Sequence, residues 1–246
     1  MSMMDRATQY LRKHFWQPIT KAIKRFNLIQ DGDRIGVGLS GGVDSAALLF
    51  ALSSLRKRAP VSFEVVGLHV DAGYGVDARM LETLCSLAEV ELHVAQAPIA
   101  KVLEARSADT SPCSLCANLR RGALNTLAKS KGCNKTALGH HSDDALETLL
   151  LCMMYECRIA TLKPLSYLDR TGITLIRPLI LVRKEAIQRA ASHYGLPWVA
   201  NQCPYEGKSK RATVRGLINH IDTIEPGAKA RLMASLLNVD VDSLWT

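Results

Sequence analysis

The chain has 246 residues, 48% hydrophobic and 22% charged, with a net charge of +8 and seven cysteines. That length suits one large α/β domain with small appendages. No apolar run reaches the roughly 18 residues that span a bilayer, and charge interrupts residues 1–30 throughout, so a soluble cytoplasmic protein without a membrane partner is expected. The basic balance favours a polyanionic partner. An odd, sparse set of cysteines (Cys85, Cys113, Cys116, Cys133, Cys152, Cys157 and Cys203) excludes a disulfide scaffold.

In chain order, residues 5–28 predict a helix: Tyr10, Leu11, Phe15, Ile19, Ile23 and Phe26 recur at helical spacing, with an interruption expected at Pro18. Up to Gln30 this segment sets Arg6, Arg12, Lys13, Lys21, Lys24 and Arg25 against Asp5 alone. Either a solvated face or a nucleic-acid contact would explain it. Asp31-Gly-Asp33 then turns the chain into a buried strand, Ile35–Leu39, and a helix follows from Ala46. Further strands are predicted at 63–70, 91–95, 135–139 and 174–177, and a brief extended segment at 198–200. Helices are predicted at 76–88, 114–130, after Asp144, and at 183–194, 208–221 and 226–237. Lys208, Lys210, Arg211 and Arg215 have no acid between them and form a second candidate contact for a polyanion. This alternation implies a doubly wound parallel sheet with helices on both faces. Ligands bind such sheets at the C-terminal strand ends, which here carry Ser40–Ser45, His69–Gly73 and Gly139–Asp144.

The turn Ser40-Gly41-Gly42-Val43-Asp44-Ser45 joins the first strand to its helix. Glycines there bring bare N–H groups close to a ligand, and the helix N-terminus favours an anion. Ser40 and Ser45 can donate to phosphate oxygens, and Asp44 can hold magnesium. Gly36-x-Gly38-x-x-Gly41 formally matches a dinucleotide fingerprint, but its first two glycines fall inside the strand. A kinase-type P-loop lacks its Lys. A turn with capping serines and no ligand would not require so narrow a pattern.

Cys113-Ser-Leu-Cys116 brackets the start of a helix. Alone, that pair is ambiguous among zinc, an iron–sulfur cluster, a redox disulfide and coincidence. No second pair follows, and Cys203, before Pro204, is a third thiol sterically free to ligate. Three thiolates suit an iron–sulfur cubane with one open iron. The remaining cysteines read as small core hydrophobes.

Ser-Gly-Gly-x-Asp-Ser resembles the PP-loop of the ATP pyrophosphatases. It is followed in order by Cys113-Ser-Leu-Cys-Ala-Asn-Leu-Arg-Arg-Gly122, Asn134-Lys-Thr-Ala-Leu-Gly-His-His-Ser-Asp-Asp-Ala-Leu-Glu-Thr-Leu-Leu-Leu151 and Ile176-Arg-Pro-Leu179. Together these resemble the tRNA 2-thiocytidine synthetases and the wider iron–sulfur tRNA thiolases, over roughly residues 30–220. Val43 stands where those enzymes usually carry Lys. The resemblance implies an ATP-binding domain at 31–200, a basic helical extension at 1–30, and a helical segment at 201–246 carrying the third cysteine. It implies a [4Fe–4S] cluster on Cys113, Cys116 and Cys203. ATP, with Mg2+ on Asp44, would lie against Ser40, Gly41, Gly42, Val43, Ser45, His69, Val70, Asp71, Gly139 and His140. Asp143 and Asp144 would add metal binding or proton transfer. The implied partners are tRNA and a sulfur donor, either a cysteine desulfurase or sulfide, and a homodimer stays open. Rival readings are a ligase or amidotransferase using ammonia, a zinc-stabilised tRNA-binding protein, and a thiolase acting on another acceptor.

Overall fold

The computed structural model describes residues 3–105, 112–200 and 209–245. Helix α1 (Met3–Leu11) runs through a π-helical turn (Arg12–Trp16) into α2 (Gln17–Arg25). The helix does not break at Pro18. Pro18 falls at the start of α2 with no N–H to give, and the helix passes it through the wider π turn directly upstream.

Strand β1 (Asp33–Leu39), α3 (Val43–Arg56), β2 (Phe63–Asp71), α4 (Ala78–Leu87) and β3 (Leu92–Gln96) follow. After α5 (Ile99–Glu104) come α6 (Pro112–Ser130), β4 (Lys135–Ala137) and α7 (Ser142–Tyr155). The chain continues through β5 (Leu165–Leu168), β6 (Ile173–Ile176), α8 (Lys184–His193), α9 (Lys210–Ile224) and α10 (Ala228–Ser235). The six strands order as β3-β2-β1-β4-β6-β5. All neighbours are parallel except β5, which runs antiparallel to β6 with Leu165 opposite Ile176 and Leu168 opposite Ile173.

The alternation of β1 separates the two helical layers. Ile35, Val37 and Leu39 are buried on the face covered by α3, which packs on β1 and β2. Gly36 and Gly38 point to the other face. A Cβ on Gly38 would sit 2.9 Å from Leu124 Cδ2 of α6, and one on Gly36 would collide with Leu68. Those glycines are therefore packing features that let α6 approach the sheet. On that face Val66, Leu68, Leu124, Leu127, Ala128, Cys133 and Ile173 form a continuous apolar cluster. Strand and helix fit because each apolar stripe meets another, contributing about 25 cal/mol per Å2 removed from water.

The base of the sheet is pinned by a buried ion pair, Lys135 Nζ to Asp33 Oδ2 at 2.7 Å. Lys135 also donates to Leu28 O at 3.0 Å, and Asn134 Nδ2 to Asp33 Oδ1 at 2.8 Å. With both charged groups given hydrogen-bond partners besides each other, burial of the pair is tolerable.

The chain divides into two compact units, residues 1–141 with 163–206, and residues 142–162 with 207–246. The first holds the sheet. The second is built on α7, α9 and α10, around Leu146, Val214 and Ile218 with Leu150, Leu232 and Met233. No helix among the described residues is long and apolar enough to cross a membrane.

Candidate functional site

At the C-terminal end of β1 the chain turns through Ser40-Gly41-Gly42 into α3. Gly41 takes φ +85°, which a side chain would resist. The two serines spend their hydroxyls on the turn itself. Ser45 Oγ donates to Gly42 O at 2.9 Å and accepts from Ser40 N at 3.2 Å, while Ser40 Oγ accepts from Gly42 N at 3.3 Å. Ser45 and Val43 are buried. Gly42 is the N-cap of α3 and makes no side-chain cap, so the first-turn N–H groups, which no intrahelical carbonyl can reach, stay available.

Two neighbours press on this turn. Val199 N donates to Gly41 O at 2.9 Å, so the extended 198–200 segment is a strap on the loop and not a strand of the sheet. Beyond β4, a Cβ on Gly139 would lie 3.0 Å from Asp44 C and 3.1 Å from Ser45 N. Only a glycine allows that approach.

Asp44 leaves the turn with its carboxylate one-third exposed at 31%. Both oxygens accept from Lys184 Nζ, each at 2.6 Å. His141 Nε2 lies 3.8 Å from Asp44 Oδ1. Lys184 comes from the first turn of α8 and carries no local motif, so sequence spacing gave no signal for it.

A cavity of about 310 Å3 opens beside the turn, lined by Gly38, Leu39, Ser40, His69, Val70, Asp71, Tyr74, Arg120, Arg121 and His140 among others. That volume is at the lower end of small-molecule pockets. His69 is buried and its Nδ1 lies 2.8 Å from Leu39 O. A carbonyl can only accept, so Nδ1 donates to it. His140 Nδ1 accepts from Arg177 Nε at 3.3 Å, and buried Arg177 also donates to Lys163 O at 2.5 Å. Asp71 Oδ1 accepts from Gly73 N at 2.9 Å and shapes the β2 exit.

The Arg120 guanidinium lies 5.3 Å from the centroid of the Tyr74 ring. Its Nε is buried with no hydrogen-bond partner among the described residues. An orphaned cationic donor facing a cavity with one carboxylate suits an anionic occupant.

Cys116 stands one residue before Ala117, which lines the same cavity. It is a half-buried free thiol packed with Val70, Tyr74 and Leu119 around Ala72, Ile99 and Leu103. Cys113 opens the same helix three residues earlier. The Cys113 side chain and all of Cys203 lie outside the described residues, as does Lys208. Among the described residues no three His, Cys, Asp or Glu side chains gather around a metal-sized space. Burial pushes the Cys85 thiol up to about 11, which fits its expected role as core filler, whereas Cys157, expected in the same role, is exposed.

Asp143 and Asp144 belong to the second unit. They occupy the first turn of α7, where the helix dipole favours acids. Asp143 Oδ1 lies 3.9 Å from Lys229 Nζ, and Asp144 Oδ1 3.8 Å from Arg211 Nη1. The basic run at 210–215 is less bare than its sequence suggests. Arg215 Nε donates to buried Glu147 Oε1 at 2.6 Å, and Arg211 Nη1 to Oε2 at 3.3 Å. Lys210 Nζ lies 4.3 Å from the Tyr155 ring centroid.

Comparison with known proteins agrees with this geometry. A family model described as a PP-loop domain matches residues 11–221. The tRNA-cytidine(32) 2-sulfurtransferase of Geobacter metallireducens is 38% identical over 225 residues, covering 90% of this chain and 88% of that one. The protein of the same name from Geotalea daltonii is 39% identical over 233 residues, covering 93% and 92%. Among solved structures, the U34-tRNA thiolase NcsA from Methanococcus maripaludis with its [4Fe-4S] cluster superposes with a TM-score of 0.71. It is 22% identical, over 90% of this chain and 78% of that one, and shares the fold. The uncapped glycine turn at the end of β1, the half-buried thiol beside its cavity and this likeness lead to one statement: the chain belongs to the PP-loop family that includes these tRNA-cytidine(32) 2-sulfurtransferases.

Proposed function

We propose that this protein is an ATP-dependent tRNA sulfurtransferase that adenylates the 2-oxo group of a cytidine and replaces the oxygen with sulfur. The observation that carries the reading is the shared basin. One cavity brings the Ser40 turn, His69 and Arg120 together, one residue from Cys116. The identity to relatives named for this reaction supports it.

A 2-oxo group on a pyrimidine is a poor electrophile, so its oxygen must first become a leaving group. The base oxygen attacks the α-phosphorus of ATP, and pyrophosphate departs. The uncapped N–H groups of α3 hold the phosphates and offset the charge that develops on the pyrophosphate. Arg120, which lines the same cavity, would orient the anion. Asp44 is the residue that would hold a magnesium ion, whose charge would assist the same step. Sulfide then adds at C2, and AMP leaves with the original oxygen. Overall, carbon exchanges oxygen for sulfur without a change of oxidation level.

Cys113, Cys116 and Cys203 would hold a [4Fe–4S] cluster, and the described member of the set fits. Cys116 is free, half-buried and next to the cavity. When bound, such a cluster with three protein ligands supplies one open iron to carry the incoming sulfur. The neighbouring Ala72, Ile99 and Leu103 shield that side from water.

The test is anaerobic reconstitution with iron and sulfide, followed by incubation with ATP and an unmodified tRNA transcript. Nucleoside mass spectrometry should show 2-thiocytidine, with AMP and pyrophosphate as co-products. Asp44→Ala should lose AMP formation, and Cys116→Ala should lose thiolation. ADP as the product, or AMP formed with an amidated base, would replace this reading with a different ATP-dependent transfer.

A further inference from the structure

Helix α8 begins at the loop and leads away from it. Lys184 in its first turn holds Asp44, and its far half packs against α1 and the π-helical turn. Where these elements meet lies a groove of about 570 Å3 lined by Arg6, Tyr10, Gln188, Arg189 and His193, among others. The Arg189 guanidinium lies 4.4 Å from the Tyr10 ring centroid. Tyr10 in turn lies 4.5 Å from the His14 ring, inclined at 33°. Arg6, Lys13, His14, Arg183, Arg189 and His193 are all exposed.

The acids on these elements are Asp5 and Glu185, and Glu185 lies 3.4 Å from Arg183. Arg6, Lys13 and Arg189 have no acidic partner among the described residues. The convergence of charge registers on His14. Partial burial of its ring, then Lys13, Arg183 and Arg189, together hold its pKa below the ordinary histidine value. A merely solvated basic face would splay its cations apart, since like charges repel. Here the Tyr10 ring holds Arg189 on one side and His14 on the other.

We infer that this α1–α8 groove is a docking surface for the phosphate backbone of the substrate tRNA, leading the RNA along α8 to the Asp44 loop. The inference rests on the proposed tRNA reaction. A guanidinium stacked on tyrosine keeps its in-plane N–H fork free for bidentate phosphate contact. Arg189 stands five positions after Lys184 on α8, about 7–8 Å along the axis, so groove and loop are within reach of adjacent nucleotides. The Tyr10–His14 pair offers rings on which an unstacked base can lie.

The experiment is equilibrium binding of an unmodified tRNA transcript to the full chain over a range of salt concentrations. Arg6→Glu/Arg189→Glu should weaken binding on the order of tenfold or more and make the salt slope shallower by about two. Binding of an ATP analogue without tRNA should be unchanged. Arg189→Lys keeps the charge but loses the planar stack, and should fall between. If the double variant does not fold, Arg6→Glu alone, at an exposed helix position, should still weaken binding with a slope change of about one. NMR of wild-type His14 gives an independent reading: phosphate on Lys13, Arg183 and Arg189 should raise its titration midpoint. Wild-type affinity and slope in the reversed variants, with an unmoved His14 midpoint, would overturn the surface while leaving the thiolation reading intact. Failure of the wild type to bind or thiolate tRNA would instead overturn both.

Discussion

Replacing Lys184 with Ala should change metal and nucleotide binding in opposite senses. Its ammonium sits 2.6 Å from both oxygens of Asp44. At an effective dielectric of about 20, unit charges roughly 3 Å apart attract by about 5 kcal/mol. The two side chains are 32% and 31% exposed, so screening and lost side-chain freedom reduce the net to ~1–2 kcal/mol. A divalent cation competing for Asp44 must displace that ammonium. Without it, nucleotide-free affinity for Mn2+ should rise about 5- to 30-fold. With ATP present, the lost cation should instead raise the apparent KM for ATP, because a positive charge beside the phosphates has gone. Mn2+ titration by electron paramagnetic resonance reads the first effect, and AMP formation the second. An unchanged Mn2+ affinity in the nucleotide-free variant would refute the view that Lys184 occupies the cation's place on Asp44.

Three further outcomes follow from the geometry. Gly139→Ala should cost about 1–3 kcal/mol and lower ATP turnover, because its Cβ meets backbone atoms of the loop at 3.0 and 3.1 Å; chemical denaturation and AMP release measure the two. Arg215→Ala should destabilise the second unit by roughly 2–3 kcal/mol, since Glu147, 3% exposed, would keep Arg211 alone among its ion-pair partners in the described residues; urea unfolding followed by circular dichroism checks it. The Cys85 thiol, raised from 9.0 to about 11, should resist iodoacetamide at pH 8 while exposed Cys157 is labelled, as mass spectrometry will show. Because the unfolded thiol ionises first, the stability it contributes should fall as pH climbs from 9.0 towards about 11.

Much of the sheet was legible because buried parallel strands are short apolar runs bounded by turns. Ile35–Leu39 and Phe63–Val70 are such runs, and both lie within the observed strands. β5 escaped because Leu165-Ser-Tyr-Leu168 lies on the sheet edge with only half its residues turned inward. Its hairpin signal was present in Asp169-Arg-Thr-Gly172, where Gly172 takes φ +71°, between two alternating apolar segments. The short α5 escaped because six residues hold too few turns for a period to show. At Pro18 the expected interruption takes the form of a π turn directly upstream and not of an end to the helix.

The site divides along a different line. Its loop was legible because the chemistry there is local: six consecutive residues supply the turn, the helix start and Asp44. What lies across from the loop was not, because it arrives through the tertiary fold. Lys184 is 140 positions from Asp44, and neither residue predicts the other. The same limit explains the basic run at 210–215. Read along the chain it has no acid, yet Glu147 reaches it from α7, more than 60 positions away. Arg211 and Arg215 are therefore partly committed to the second unit's own stability, and reversing them would confound RNA binding with unfolding. Arg6 carries no such commitment among the described residues, and Arg189 is stacked on the neutral Tyr10 ring, so reversing it leaves no buried unpaired charge behind. The α1–α8 groove, and not the run with the greater density of charge in sequence, is thus where charge reversal can separate recognition of RNA from maintenance of the fold.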